Sequence, residues 1–294
     1  MEITKCGMFA IVGRPNVGKS TLLNALVGEK VAIVSNKPQT TRNRVMAIVN
    51  RDGGQYVFVD TPGFHKPRNR LGDFMMEIVE ETVTDTDAVI LVVEPKEPGK
   101  PENILLENIK ASGLPCILVI NKIDKVEHEA LLPVLAAYQE QMDFRSVIPL
   151  SARKRDGLDI LMTELSALLE EGEALFPEDM TSDQPERVLA AETIREKLLW
   201  NLDREIPHGT AVVIERYEQD GNLLNIAATI YVEHASHKAI VIGHQGTMLR
   251  EIGKMAREDL EHRYGCKVFL DLWVKVKEGW RDNLYQMRNF GYEN

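Results

Sequence analysis

The chain is poor in cysteine, in long apolar runs and in positive charge, and each shortage removes a class of function. Its three cysteines, Cys6, Cys116 and Cys266, are odd in number and far apart, with no CxxC and no histidine at metal-ligand spacing. That pattern excludes a disulfide scaffold and a cysteine-based metal centre, and the thiols are expected reduced, in or near cores. The longest apolar stretches, such as AVILVV from Ala88 to Val93, fall well short of the roughly 20 residues of a membrane span and suit buried strands. The opening MEITKCGMFA lacks a charged and apolar leader pattern, so a cytosolic setting without a secretory signal is expected. The formal charge is −10, and from Asp183 onward 15 Lys and Arg stand against 18 Asp and Glu. A protein that coats nucleic acid through bulk positive charge is thereby excluded, and any RNA or DNA site must be local.

What is present is a globular composition, 44% hydrophobic and 27% charged with 20 Gly and 13 Pro in 294 residues. It suffices for about two domains, each with its own core. From Cys6 to about Glu171 the runs GMFAIVG, VMAIVN, QYVFVD, AVILVV, CILVIN and SVIPLSA alternate with longer helical stretches. Most of these runs are apolar on both faces. They predict an α/β doubly wound sheet covered by helices on both sides, with ligands at the carboxyl ends of the strands. The acidic segment EEGEALFPEDMTSDQP breaks this alternation, so domains are expected over 1–172 and 186–294 with a linker over 173–185. Beyond it, Val188, Ala191, Ile194, Leu198 and Leu202 recur at helical spacing and predict one amphipathic helix. Two strand-like runs, TAVVIERYE and LLNIAATIYVE, follow across the turn residues Asp220, Gly221 and Asn222. A helix over about Thr247–Tyr264 and a strand over about Lys267–Lys277 complete a smaller α+β domain.

Gly13–Ser20 reads GRPNVGKS, matching G-x-x-x-x-G-K-[ST] directly after a strand and before the helical run STLLNALVG. The pattern arises by chance in a chain of this length with a probability on the order of 1%. Its glycines let backbone N–H groups face phosphates, Lys19 supplies a point charge, and the Ser20 hydroxyl is a ligand for Mg²⁺. After the third strand comes Asp60-Thr61-Pro62-Gly63, where Asp60 suits a water-mediated hold on Mg²⁺ and Gly63 N–H a γ-phosphate. Asn121-Lys122-Ile123-Asp124 ends another strand: the Asp124 carboxylate pairs with the N1–H and 2-amino group of guanine, donors that adenine lacks. Lys122 suits the base plane, and Asn121 suits a tie to the phosphate loop. Ser151, Ala152 and Arg153 end the last strand, where Ala152 N–H suits the guanine O6. Alone, the last three are ordinary turn and loop patterns.

In this order and spacing, the four patterns resemble the motifs of a translation-factor-class P-loop GTPase over about residues 5–172. The resemblance implies binding of GTP and GDP with Mg²⁺, and slow hydrolysis. Nucleotide contacts would come from Asn16, Val17, Gly18, Lys19, Ser20, Thr21, Asp60, Gly63, Asn121, Lys122, Asp124, Ser151, Ala152 and Arg153. The implied catalytic set is Lys19, Thr41, Asp60 and Gly63, and the Mg²⁺ set is Ser20, Thr41 and Asp60. Thr41, with Thr40 as the alternative, lies in the first switch, PQTTRNR, Pro38–Arg44. Where Ras-like proteins carry a glutamine after the DxxG glycine, this chain has Phe64, which cannot polarise water. It thus resembles the hydrophobic-substituted GTPases, in which an asparagine at the position of Asn16 helps hold K⁺. Arg14 and Arg44 stand as further phosphate contacts or solvated loop residues.

Gly243–Gly246 is a G-x-x-G followed at once by a helix with Met248, Ile252 and Met255 on one face and then by CKVFLDLWVKVK. This stretch resembles a KH domain of the bacterial type (type II), whose loop clamps four single-stranded nucleotides. RNA contacts are then implied for Ile242, Gly243, His244, Gln245 and Gly246, with Arg250 and Lys254 adding phosphate contacts. His244 and Gln245 stand where basic residues are usual, so phosphate attraction is expected weaker or pH-dependent. Trp273 and Trp280 are expected in core or interface packing.

One such GTPase domain, an acidic linker and one C-terminal KH domain, with PQTTR, IREKLL and LWVKVKEGW, resemble the Era family of bacterial GTPases over nearly the whole chain. That resemblance implies a monomeric switch protein binding the 3′ end of small-subunit (16S) ribosomal RNA and the 30S subunit, not DNA. It implies a role in 30S maturation, linked to growth and cell-cycle control, and a cytoplasmic location with peripheral contact to the inner membrane face. The alternatives are a G domain gating an RNA-modification partner and a GTP-binding, RNA-binding module with negligible turnover.

Overall fold

The computed structural model describes residues 3–292. It divides into two compact units, one taking in the residues up to Pro67 and Met75–Asp183, the other Arg68–Phe74 and the chain from Gln184 onward.

The first unit runs β1 (Lys5–Val12), α1 (Lys19–Val27), β2 (Val45–Arg51), β3 (Gly54–Asp60), α2 (Arg70–Thr84), β4 (Ala88–Val93), α3 (Lys100–Ser112), β5 (Cys116–Ile120), α4 (Leu131–Gln139), β6 (Ser146–Pro149), α5 (Leu158–Ser166) and the two-residue β7 (Glu170–Glu171). Its sheet has the order β2-β3-β1-β4-β5-β6, parallel except for β2 against β3 and β7 against β1. Every residue of β3, β4 and β5 is buried, as strands covered on both faces require. On one face Phe9 and Phe58 pack with Leu22 and Leu23 of α1 and Leu161 and Leu165 of α5. On the other, Val89 and Leu118 pack with Val79, Leu106, Ile109 and Tyr138 of the remaining helices. Successive chain segments therefore leave β1 and β4 toward opposite faces, and the crevice at their carboxyl ends is where a doubly wound sheet binds its ligand.

The segment expected as a linker over 173–185 does not run free. Gln55 and Phe176 exchange two hydrogen bonds at 2.9 Å, Asn50 Nδ2 donates to Glu178 O, Ile48 N donates to Thr181 O, and Asp183 Oδ1 accepts from Met46 N. A polar segment without periodicity thus satisfies the open edge of β2, which would otherwise expose a row of unpaired backbone groups.

The second unit runs α6 (Glu186–Asn201), β8 (Ala211–Asp220), β9 (Leu223–Val232), α7 (Ala235–Ile242), α8 (Thr247–Tyr264), β10 (Lys267–Val276) and α9 (Leu284–Asn289). Its sheet has the order β10-β9-β8, with β9 antiparallel to β8 and parallel to β10. Ile194, Leu198, Ile226, Ile230, Ile252, Ala256 and Val274 form its core. Two expectations are corrected here. The helix from Glu186 is buried on every side over Thr193–Leu199, its charged residues Arg195, Glu196 and Lys197 included. Lys197 Nζ satisfies Glu196 at 3.0 Å and Asp259 at 2.5 Å, which is how a fold keeps such charges inside. Trp280 is fully buried and donates to Gly209 O, but Trp273 is 61% exposed, because alternation along β10 turns it away from the core that holds Val274.

Candidate functional site

The loop between β1 and α1 turns on Gly18, whose φ of +102° opens the helix; a Cβ there would stand 2.3 Å from Asn121 Nδ2. Glycine is therefore needed twice over, for the left-handed backbone and for the close approach. Lys19, the first residue of α1, is buried and donates to the carbonyls of Gly13 and Arg14, each at 3.2 Å. Burial pushes its ammonium down to about 8, against the opposing pull of Asp60. Ser20 Oγ donates to Asp60 Oδ2 at 2.6 Å and lies 2.9 Å from Thr41 Oγ1, which itself reaches Asp60 Oδ2 at 3.3 Å. Thr40 instead bonds Ser35 and Lys37 O. The Asp60 carboxyl is fully buried; burial raises its pKa against the Lys19 charge, and its Oδ1 has no hydrogen-bond partner. An orphaned carboxylate oxygen beside two hydroxyls is the hard oxygen donor set a Mg²⁺ ion takes. These residues fit the cation.

Thr61 anchors the next loop through Oγ1 to Ile11 O at 2.9 Å, and Phe64 N donates to Gly13 O at 3.0 Å. Gly63 lies so close that an added Cβ would be 2.7 Å from Pro15. Phe64 itself packs against the apolar cluster of the second face. At the other end, Asn121 joins three loops: Nδ2 donates to Val17 O at 2.9 Å, while Oδ1 accepts from Lys122 N at 2.8 Å and Ala152 N at 3.0 Å. The expected tie between Asn121 and the phosphate loop is thus present. Ala152 N–H, expected to face the guanine O6, is held by Asn121. Ser151 Oγ donates to Asp124 Oδ1 at 2.6 Å, and this bond above all keeps the Asp124 carboxyl below its usual range.

A cleft of about 360 Å³ collects Asn16, Gly18, Lys19, Ser20, Thr21, Thr41, Gly63, Asn121, Lys122, Asp124 and Arg153 along its walls. The Val17 side chain is instead in the core. Asn16 has φ +66° and donates from Nδ2 to Asn36 O, just ahead of the first-switch segment, at 2.8 Å. Arg14 pairs with Glu102 at 2.9 Å, so it is not simply solvated. Sequence reasoning missed Glu94, which meets Lys122 Nζ at 2.6 Å; its position directly after the run AVILVV was the available signal.

In the second unit, Gly243 has φ +74°, and a Cβ there would meet Met248 at 2.7 Å. The loop closes in a single turn, His244–Gly246, with His244 and Gln245 exposed and Gln245 at φ +50°. A groove of about 560 Å³ opens between α8 and β10, lined among others by Gly246, Leu249, Arg250, Lys254, Arg257 and Phe269. Arg257 and Phe269 were not anticipated, although Arg257 continues the Arg250 face one turn beyond Lys254. Ile242 is half-buried and packs against the core.

Among the described residues no helix is long and apolar enough to cross a membrane. Residues 8–122 match the family described as 50S ribosome-binding GTPase, and residues 205–281 match the KH domain family. The chain is 45% identical over 291 residues to GTPase Era of Ruminiclostridium cellulolyticum, covering 98% of each. A point variant of Aquifex aeolicus Era bound to GDP·AlF4⁻ superposes with a TM-score of 0.95 at 41% identity, over 99% of this chain and 100% of that one. Era in complex with MgGDPNP and nucleotides 1506–1542 of 16S ribosomal RNA gives 0.96 at 40% identity, over the same shares. Two sites of this geometry on one chain, matched from end to end by these relatives, carry a single conclusion: the chain belongs to the Era family of GTPases.

Proposed function

We propose that the chain is a GTP-hydrolysing switch that binds the 3′ end of small-subunit ribosomal RNA and assists maturation of the 30S subunit. The observation that carries the reading is the convergence of Ser20 and Thr41 on Asp60, whose second carboxylate oxygen is buried and unpaired. Mg²⁺ held by Ser20, Thr41 and Asp60 supplies charge to the phosphates of GTP. Lys19 binds the β- and γ-phosphates, Gly63 N–H meets the γ-phosphate, and Asp124 accepts from guanine. The phosphate loop from Asn16 to Thr21 cradles the anion at the N-terminus of α1. Ser151 orients Asp124, and Arg153 lines the base end. Because Thr41 reaches the cation from a switch loop, loss of the γ-phosphate frees that loop.

Phe64 leaves the attacking water without a polarising side chain; Asn16 would help hold a K⁺ ion, which would supply the missing positive charge. In support, the Asn16 amide already lies against the Asn36 carbonyl, just ahead of the first switch. In the second unit Gly243, His244, Gln245 and Gly246 clamp the RNA backbone, with Arg250 and Lys254 on phosphates. Cytoplasmic location and peripheral contact with the inner membrane face rest on family resemblance alone, and co-sedimentation with anionic vesicles tests the latter. The central test is steady-state GTP turnover with and without a single-stranded RNA matching the ribosomal 3′ end, in K⁺ and in Na⁺ buffers. Turnover raised by the RNA and by K⁺ is expected; equal turnover in K⁺ and Na⁺ removes the K⁺ role, and no GTP hydrolysis in any mixture removes the enzyme.

A further inference from the structure

Asn16 and Lys122 face each other across the phosphate loop, and both hold left-handed backbone conformations, φ +66° and +67°, that disfavour side-chain-bearing residues. A single ammonium bridges them: Lys122 Nζ donates to Asn16 O and to Glu94 Oε1, the latter at 2.6 Å. Glu94 follows β4 directly, and Lys122 follows β5 by one residue, so the pair links adjacent strand ends to the loop grown from β1. Glu94 is not among the residues lining the nucleotide cleft, whereas Lys122 is. Its carboxylate meets two ammonium groups, Lys122 and, at 3.2 Å, Lys96. Partial burial raises its pKa, but the two lysines outweigh this and hold the carboxyl below its usual range, keeping it charged near neutrality.

We propose that Glu94 is a positioning residue for guanine nucleotide binding, acting through Lys122. It gives the lysine a second, charged anchor. The lysine stem is thereby held along the cleft wall where the base plane lies, and the ammonium stays on the Asn16 carbonyl, keeping the phosphate loop in its strained form. Without Glu94 a flexible four-carbon stem retains one neutral acceptor, and ordering it falls to the nucleotide. The inference rests on the GTP-binding reading of this cleft.

The test is titration of the full-length protein with a fluorescent GDP, comparing Glu94→Ala, Glu94→Gln, Lys122→Met and the corresponding double variants. Glu94→Ala is expected to weaken binding about tenfold, and Glu94→Gln, which keeps an acceptor of the same size, about threefold. In the Lys122→Met background both changes are expected to fall below about twofold, because the residue through which Glu94 acts is gone. If the alanine variant fails to fold, the glutamine pair carries the comparison. Glu94 variants with the wild-type affinity overturn the proposal, as does a loss that persists undiminished beside Lys122→Met. A wild-type chain that does not bind the fluorescent GDP overturns the nucleotide reading itself.

Discussion

Lys19 carries the most information of any single residue. Its ammonium is buried with carbonyl partners and titrates near 8 in the absence of nucleotide. Phosphate oxygens restore its proton, so GDP binding at pH 8 is expected to take up about half a proton, and almost none at pH 6.5. Calorimetry in buffers of different ionisation enthalpy measures this, and Lys19→Met is expected to abolish it. The sign for stability follows from the same shift: the folded pKa lies below the unfolded one, so between about 8 and 10.5 the unfolded chain holds more protons. Stability of the nucleotide-free protein therefore rises with pH across that window, and the penalty is fully present below it. A proton uptake that does not depend on pH would remove this account. Lys19, Ser20, Asp60 and Asn121 were all legible in the sequence, since each sits inside a spaced pattern, the first two opening α1 and the last two at strand ends. Glu94 was not, because its partner stands 28 residues away and only the neighbouring of β4 and β5 brings them together.

At the scale of elements, the loop from Gly243 to Gly246 and helix α8 form one device. Gly246 has φ +76°, with no atom within 4 Å of a Cβ placed on it. Gly246→Asp therefore costs the fold only left-handed strain, about 1 kcal/mol, which aspartate tolerates better than most residues. It nonetheless puts an anion where an RNA phosphate must approach. Binding of the ribosomal 3′-end RNA is expected to fall at least about tenfold with the melting temperature lowered by only a few degrees. A variant that melts normally and binds RNA as before would mean that the clamp lies elsewhere. Periodicity predicted α8 and the strand after it well, because both keep one apolar face. It misjudged α6, predicted as an amphipathic helix, because Arg195, Glu196 and Lys197 are buried there as fully as the apolar positions. Arg195 and Lys197 find partners on α6 itself, Glu192 and Glu196, but Lys197 also needs Asp259 of α8, a contact that a helical wheel of α6 alone does not contain.

At the scale of the whole molecule, a chain of net charge −10 must bind an anion through a local cluster. The groove cations Arg250, Lys254 and Arg257 number three. For single strands, each neutralised phosphate adds roughly −0.7 to the slope of log K against log salt, so a slope of about −2 is expected. Arg257→Ala should reduce it by roughly 0.7 while leaving GDP affinity unchanged. A slope several units steeper would mean that a basic surface beyond the groove takes part.

Residue type, spacing and order determined by themselves that the chain makes a doubly wound sheet with a phosphate loop, a guanine-reading loop and a second, smaller domain. These are local facts: a strand needs its apolar run, and a phosphate loop its glycines and lysine within eight positions. Tertiary structure alone decided which residues meet. It turned Asp60 Oδ1 into an orphaned acceptor, gave Ala152 N–H to Asn121, laid the acidic segment along β2, exposed Trp273 and set Glu94 against Lys122. The physical reason is common to all five. Burial and pairing depend on atoms brought in from distant segments, and sequence spacing carries no record of them until the sheet has fixed its strand order.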